Sequence, residues 1–252
     1  MRLKDKVAIV TGSSRGIGKA VAIQFAREGA TVAVVALSDP TAAEEVGNTI
    51  KGISPSSLAG VFITDVSRRP AVISMTQQIL ERYGHIDILV NNAGIIKPTH
   101  IWDIPEEQWD KVVGVHLKGT FNCTQAVIKN MMEKKSGKII NVTAPSALRA
   151  SSAGVADYAS AKGGIIAFTK TAAKELAPFH INVNCICPVA NTRMTDSLME
   201  FRHTTREEHA SRYPLGWFAE PEEMAPAFVF FASRDSDYVT GQVLAVDGGL
   251  TM

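Results

Sequence analysis

A doubly wound parallel α/β sheet of about seven strands, with helices on both faces and one domain spanning residues 1–252, is the fold class that the sequence predicts. Three observations carry it. Short apolar, β-branched runs alternate with longer amphipathic stretches; most of the runs read as buried on both faces; and a glycine-rich turn joins the first run to the first helix.

The first strand is the run Val7-Ala8-Ile9-Val10-Thr11, which ends at glycines 12, 16 and 18 and leads into a helix over about 17–28. A second strand over 31–36 precedes a helix over 41–51, and a third over 59–64 precedes a helix over 70–83. The fourth strand, 86–91, is followed by a long helical stretch over 106–134, and the fifth, 138–143, by a helix over 158–177. A sixth strand over 181–187, a helix over 221–233 and a seventh strand over 242–246 complete the series. Such alternation requires right-handed crossovers in one sheet. The long interval without a strand runs from 188 to 221; its polar, Met-containing middle reads as a mobile lid over a site, at about 190–215.

Composition excludes several classes. Lys plus Arg number 26 against 25 for Asp plus Glu, so no global field points to nucleic acid or a membrane surface, and a small-molecule partner is expected. Hydrophobic content of 46% argues against disorder, and the longest apolar runs are too short to span a bilayer. The first residues have neither an apolar targeting region nor a cleavage site, which places the chain in the cytoplasm. Three cysteines, Cys123, Cys185 and Cys187, form no CxxC and read as buried hydrophobes, and the six histidines carry no ligand pattern, so no metal is expected.

Thr11-Gly12-Ser13-Ser14-Arg15-Gly16-Ile17-Gly18 follows the first strand directly and opens the first helix. Glycine permits a tight turn and close approach to a pyrophosphate, and a helix N-terminus offers free N–H groups to its charge. Asp65-Val66 and Asn91-Asn92-Ala93-Gly94 stand at the carboxyl ends of strands three and four, where ligands of such sheets bind. Tyr158 and Lys162, four residues apart on a helix, lie side by side. A neighbouring ammonium favours the phenolate, and the pair is expected to bring the phenol closer to what a general acid/base needs near neutrality.

With these motifs, with Pro188 and Thr192 after the sixth strand and with Asp247-Gly248-Gly249 near the C-terminus, the chain resembles the short-chain dehydrogenase/reductase family over essentially its whole length. The resemblance implies a Rossmann-like domain, a nicotinamide cofactor, and hydride transfer to or from a carbonyl or alcohol carbon. It also implies an oligomer, a homotetramer or homodimer, associating through the stretches 108–134 and 158–177. Tyr158 would exchange a proton with the substrate oxygen, and Lys162 would lower its pKa and reach the nicotinamide ribose. Gly12, Ser14, Gly16, Ile17 and Gly18 would line the phosphates and adjoining ribose, and Asp65 and Val66 the adenine. Asn92, Ala93 and Gly94 would form the adenosine-side ribose contact and the floor, and Pro188, Val189 and Thr192 would stand beside the nicotinamide.

Three positions depart from the family pattern. Strand alignment places Ala144 where the catalytic serine belongs, and the usual spacing before the tyrosine lands on Pro145; neither has a hydroxyl. Ser146 is the favoured replacement, with Thr143, or no hydroxyl at all, as the alternatives. His116 stands where an asparagine distorts the fourth helix and serves the lysine's proton relay; it either keeps that relay or fills the gap. Val189 replaces a glycine, narrowing conformational freedom beside the nicotinamide.

The acidic residue that would favour NAD at the end of the second strand is replaced by Ala36, while Arg15 and Ser38 are placed to hold a 2′-phosphate. Asp39 opposes that phosphate; the balance favours NADP over NAD. Ile95, Ile96, Leu148, Val155, Met194 and Leu198 predict an apolar substrate pocket for a hydrophobic ketone or alcohol. Lys97, Arg149, Arg193, Arg202 and Arg206 lie near its rim or lid and read first as a solvated charged face, with a carboxylate or a 3-oxoacyl/3-hydroxyacyl thioester carrier such as an acyl-CoA or acyl carrier protein as the alternative. Against the active-enzyme reading stands a cofactor-binding, weakly active subunit in a hetero-oligomer with an active paralogue; the three departures motivate it and the intact Tyr158 and Lys162 oppose it.

Overall fold

The structure, a computed structural model, describes residues 1–149 and 153–252. In chain order the elements are β1 (Val7–Thr11), α1 (Gly16–Arg27), β2 (Thr31–Ala36), α2 (Pro40–Ile53), β3 (Leu58–Ile63), α3 (Arg69–Tyr83) and β4 (Ile88–Asn91). Then follow α4 (Glu106–Val113), α5 (Gly119–Lys134), β5 (Gly137–Val142), α6 (Pro145–Leu148), α7 (Ala156–Leu176), β6 (Ile181–Pro188), α8 (Arg193–Arg202), α9 (Arg206–Ala210), α10 (Pro221–Ala232) and β7 (Val243–Val246). Among the described residues the strands form one seven-stranded parallel sheet in the order β3-β2-β1-β4-β5-β6-β7. The chain reverses its direction of travel across the sheet between β1 and β4, which are neighbours; a crevice opens there at the strands' carboxyl ends.

The central strands alternate their side chains between two cores, one on each face, whereas β7 at the edge leaves Leu244 and Ala245 exposed. Ala8 and Val10 of β1 join Phe25 of α1, Ile50 of α2 and Phe228 of α10 on one face. Val7 and Ile9 join Ile79 of α3, Met131 of α5 and Leu176 of α7 on the other. Double-sided burial explains why the strands read as unbroken apolar runs. Cys123, Cys185 and Cys187 are buried within these layers as free thiols. No helix among the described residues is long and apolar enough to cross a membrane.

Three stretches differ from the sequence reading. The helix expected over 106–134 is continuous but carries a π-helical turn, Gly114–Lys118, between α4 and α5, with His116 buried at its centre. The extra residue in that turn is a distortion that periodicity does not reveal. The fourth strand begins at Ile88 rather than residue 86, because the Ile86 N–H donates to the Asn130 side chain instead of a strand neighbour. The interval 188–221 contains two helices: the Thr192 hydroxyl accepts from Thr195 N–H at the start of α8, and Thr205 and Glu208 form a reciprocal capping box on α9.

A buried polar ladder locks α7 to the sheet. The Asn91 amide donates to the Asn141 carbonyl oxygen at 2.9 Å, the Asn141 amide donates to Thr169 Oγ1 at 2.9 Å, and the Thr143 hydroxyl donates to the Lys162 carbonyl at 3.0 Å. These bonds compensate the polar groups' burial and set the helix's rotation and height against β5. Phe228 is fully buried between α1, α10 and the sheet. Phe228→Ala should therefore lower the unfolding free energy by about 3–5 kcal/mol, read from a urea titration; a loss below about 1 kcal/mol would mean that this face is loosely packed.

Candidate active site

The crevice at the β1–β4 switch point is a cavity of about 940 Å³. Its floor is the glycine loop. Gly12 sits at φ +66°, and a Cβ there would lie 2.8 Å from Ala93 Cα; a Cβ on Gly18 would lie 2.3 Å from the Gly12 carbonyl oxygen. No larger residue fits either place. The loop is fastened from β4: the Asn92 amide donates to the Thr11 and Gly12 carbonyls at 2.9 and 3.1 Å, and Thr11 Oγ1 accepts the Asn92 and Ala93 N–H groups at 3.0 Å each. Helix α1 starts at Gly16 with no side-chain cap at Arg15, so its first-turn N–H groups are open to an anion. Gly12, Ser14, Gly16, Ile17 and Gly18 all line the cavity. This donor set and its steric closeness fit the pyrophosphate of a dinucleotide.

At one end of the cavity lie Arg15, Ala36, Ser38, Asp65 and Val66. Arg15 pairs with Asp39 at 2.7 Å, and the other Asp39 oxygen accepts the Ala42 N–H that opens α2. Asp65 is turned inward on its own loop, accepting from Ser67 N–H at 2.9 Å and from the Ser67 hydroxyl at 2.6 Å.

The opposite end is built by β5, α6, α7 and the π-turn. Lys162 is buried, and its ammonium donates to the Val142 carbonyl at 2.7 Å while lying 5.6 Å from the centre of the Tyr158 ring. Burial pushes the lysine down to about 8. Tyr158 is part-buried on the same wall. Contrary to expectation, its phenol lies above the ordinary tyrosine value, because desolvation outweighs any help from Lys162 in the free protein. Asp157, beside it, is buried, accepting the Tyr158 N–H at 2.7 Å and the Gln108 amide at 2.9 Å; α4 thereby holds the start of α7.

The family described as enoyl-(acyl carrier protein) reductase matches residues 12–251. The chain is 41% identical, over the full length of both, to the 3-oxoacyl-[acyl-carrier-protein] reductase FabG of Thermotoga maritima, and 39% identical to that of Chlamydia muridarum over 98% of each. It is 38% identical, over 100% of its own length and 99% of the other, to the (2S)-[(R)-hydroxy(phenyl)methyl]succinyl-CoA dehydrogenase subunit BbsD of Thauera aromatica.

The chain belongs to the short-chain dehydrogenase/reductase family.

It is an NAD(P)-dependent oxidoreductase of C=O and CH–OH groups. The three departures from the family pattern now have geometry. Ser146, in the first turn of α6, lines the cavity, and its buried hydroxyl oxygen has no hydrogen-bond partner among the described residues. Thr143 also lines the cavity, but its hydroxyl is already given to the Lys162 carbonyl. His116 packs against Gly94 so closely that a Cβ there would lie 2.4 Å from the imidazole, and its ring meets Tyr158 edge to face at 5.1 Å. Its Nε2 sits 2.7 Å from the Ile95 carbonyl oxygen and 3.1 Å from the Ile95 N–H; the shorter contact favours a proton on Nε2, leaving Nδ1 as a buried acceptor with no partner. Burial and the nearby Lys162 charge hold the ring neutral, with a pKa of about 3. Val189 continues straight from β6, its N–H bonded to the Val246 carbonyl at 3.0 Å, beside Pro188 on the cavity wall.

Thr192, which caps α8, faces the glycine loop, its methyl 3.4 Å from where a Gly16 Cβ would stand. Of the expected apolar pocket, Ile95, Ile96, Val155, Met194 and Leu198 line the cavity; Leu148 is turned outward and does not. Arg193 and Arg202 line it, whereas Lys97, Arg149 and Arg206 do not, and Arg206 pairs with Asp196 at 3.3 Å on the surface. Sequence reasoning missed His209, Arg212 and Tyr213 on the lid side, whose short polar segment carries no motif.

Lys162 bears its charge below about pH 8 and loses it above, while the raised Tyr158 stays protonated throughout that range. The kcat/KM for carbonyl reduction at saturating cofactor should therefore be level below about pH 8 and fall about tenfold per unit above it; a profile that stays level well beyond that point would remove Lys162's charge from the rate.

Proposed function

We propose that the chain reduces 3-oxoacyl thioesters to 3-hydroxyacyl thioesters with NADPH. The observation that carries this is one wall bearing Tyr158, Lys162 and the open Ser146 hydroxyl beside an apolar pocket. The names of the FabG relatives support the substrate class. The same observation favours the active enzyme over a weakly active subunit beside a paralogue.

A bound reduced nicotinamide supplies the hydride to the carbonyl carbon. Tyr158 gives its phenolic proton to the carbonyl oxygen as the C=O π bond opens, and Ser146 donates a hydrogen bond to that oxygen as its negative charge develops. Lys162, already bonded to the Val142 carbonyl, stabilises the phenolate that remains and would help hold the cofactor's ribose hydroxyls. His116 Nδ1, which can only accept, orients a solvent molecule that passes a proton to the phenolate left on Tyr158, taking the relay role of the family's asparagine. Asn92 acts as a positioning residue, holding Gly12 open to the phosphates. Helices α8 and α9, within the lid at about 190–215, close over the substrate.

At the adenosine end, Arg15 and Ser38 hold the 2′-phosphate of NADP. Asp39 pairs with Arg15 through one oxygen and accepts a helix N–H on the other, and turning Arg15 to the phosphate would exchange that surface pair for the phosphate bond. We place the enzyme in the cytoplasm as a homotetramer: Trp109 of α4 and Phe121 of α5 are exposed on the helices through which such subunits associate, and Phe121 meets Phe168 of α7 edge to face.

With 3-oxoacyl thioesters and NADPH, the purified protein should consume the cofactor's absorbance. Ser146→Ala should cost about 10²–10³ in kcat, the worth of one donor to a developing oxyanion, and Thr143→Val much less; the reverse order would move the role to Thr143. No turnover of any thioester while simple ketones react would discard the substrate class. Arg15→Ala should weaken NADP binding by about tenfold or more, the worth of one charge-assisted bond, and leave NAD binding little changed. Calorimetry that finds NAD the tighter ligand of the unaltered protein would overturn the NADP assignment.

A further inference from the structure

The substrate end of the cavity carries positive charge that the reduction above does not use. Arg202, the last residue of α8, is half-buried and lines the cavity. Among the described residues no carboxylate lies within ion-pair distance of it, and its Nε is buried without a partner. His209 of α9 also lines the cavity and is only 5% exposed. Its Nε2 is bonded to the Tyr213 hydroxyl at 2.8 Å, and its Nδ1 has no partner. Arg212 lines the same wall from the surface side. Mutual repulsion is felt: after burial itself, Arg212 is the main influence lowering the proton affinity of both Arg202 and His209.

This wall is not the pyrophosphate site. Ten residues of helix, about 15 Å, separate Arg202 from Thr192 beside the glycine loop. Phe201, its neighbour in sequence, packs instead on Gly154, where a Cβ would lie 2.3 Å from the ring, and on His100 of the loop after β4 at 5.0 Å. Gly154 is four residues before Tyr158, so the end of α8 that carries Arg202 lies beside the segment leading into Tyr158, and both residues line the one cavity. On the same two helices the exposed Arg206 has its own carboxylate, Asp196, while the more buried Arg202 has none. A half-buried cation held without a counter-ion is costly to the fold and is characteristic of a binding site.

We propose, resting on the reductase reading above, that Arg202, with His209 and Arg212, binds a carboxylate carried on the acyl chain of the substrate, distal to the reacting carbonyl. The guanidinium fork accepts such a group in two parallel bonds. Met194, Leu198 and Val155 cover the chain between the two ends.

The test compares two N-acetylcysteamine thioesters of 3-oxo acids of equal length, one ending in a methyl group and one in a carboxylate; neither carries a phosphate. The unaltered enzyme should prefer the carboxylate by about 10- to 100-fold in kcat/KM, the worth of a charge-assisted hydrogen bond. Arg202→Gln should bring the ratio to about 1, Arg202→Lys should keep part of it, and Arg206→Gln should leave it unchanged. Equal rates in the unaltered enzyme would overturn the inference while leaving the reductase reading intact. So would a preference seen only with coenzyme A thioesters of the neutral acid and lost in Arg202→Gln, since the bound anion would then be the carrier's phosphate. Should neither thioester turn over, the reductase reading fails, and calorimetry with glutarate on the cofactor-loaded protein decides the subsite: binding lost in Arg202→Gln sustains it, and no binding by the unaltered protein ends it.

Discussion

The bond from the Lys162 ammonium to the Val142 carbonyl, 2.7 Å long inside a nearly dry wall, is the constraint around which the site is arranged. A buried ammonium is expensive, and among the described residues no carboxylate pairs with this one to offset it. What holds it is geometry: α7 is fixed on β5 by Thr143 bonding the lysine's own carbonyl and by the Asn91–Asn141–Thr169 ladder below. Because α7 cannot rotate, Tyr158, one turn earlier, is held on the cavity wall, and Asp157 ties that turn to α4.

Desolvation has an effect opposite to the one four-residue spacing suggests. Spacing alone says that lysine assists the phenol; in the free protein both groups are instead driven toward their neutral forms, the phenol up and the ammonium down. The pair is then a proton-holding acid and a responsive cation. His116 adds a neutral ring with one open acceptor, seated on Gly94 because nothing larger than glycine leaves room for it.

How much of this was legible in the sequence follows from which forces act locally. Double-sided burial writes itself as apolar runs, so the strand order of events from β1 to β7 could be read, and the glycine loop announced itself because Gly12 and Gly18 answer to contacts only glycine survives. The predicted site residues, Ser146 and His116 among them, line one cavity. Strand alignment could not choose between Ser146 and Thr143; that depends on a hydroxyl bond to Lys162, a contact across 19 residues. The π-turn was hidden because its residues keep helical propensity. The charge of the lid could not be apportioned in sequence for a similar reason: Arg206 and Arg202 look alike there, and only the fold shows that one faces Asp196 and the other the cavity.

What decides the chemistry of this wall is whether Tyr158 is the proton donor of a working carbonyl reductase and not merely part of a cofactor pocket. Single-turnover mixing of the NADPH-loaded protein with a 3-oxoacyl thioester, set beside calorimetric cofactor binding, tests it in Tyr158→Phe. In that variant cofactor binding should stay within a few-fold of the unaltered protein and hydride transfer should slow by about 10²–10⁴, the range of a positioned general acid. Transfer at an undiminished rate in Tyr158→Phe would contradict the donor role.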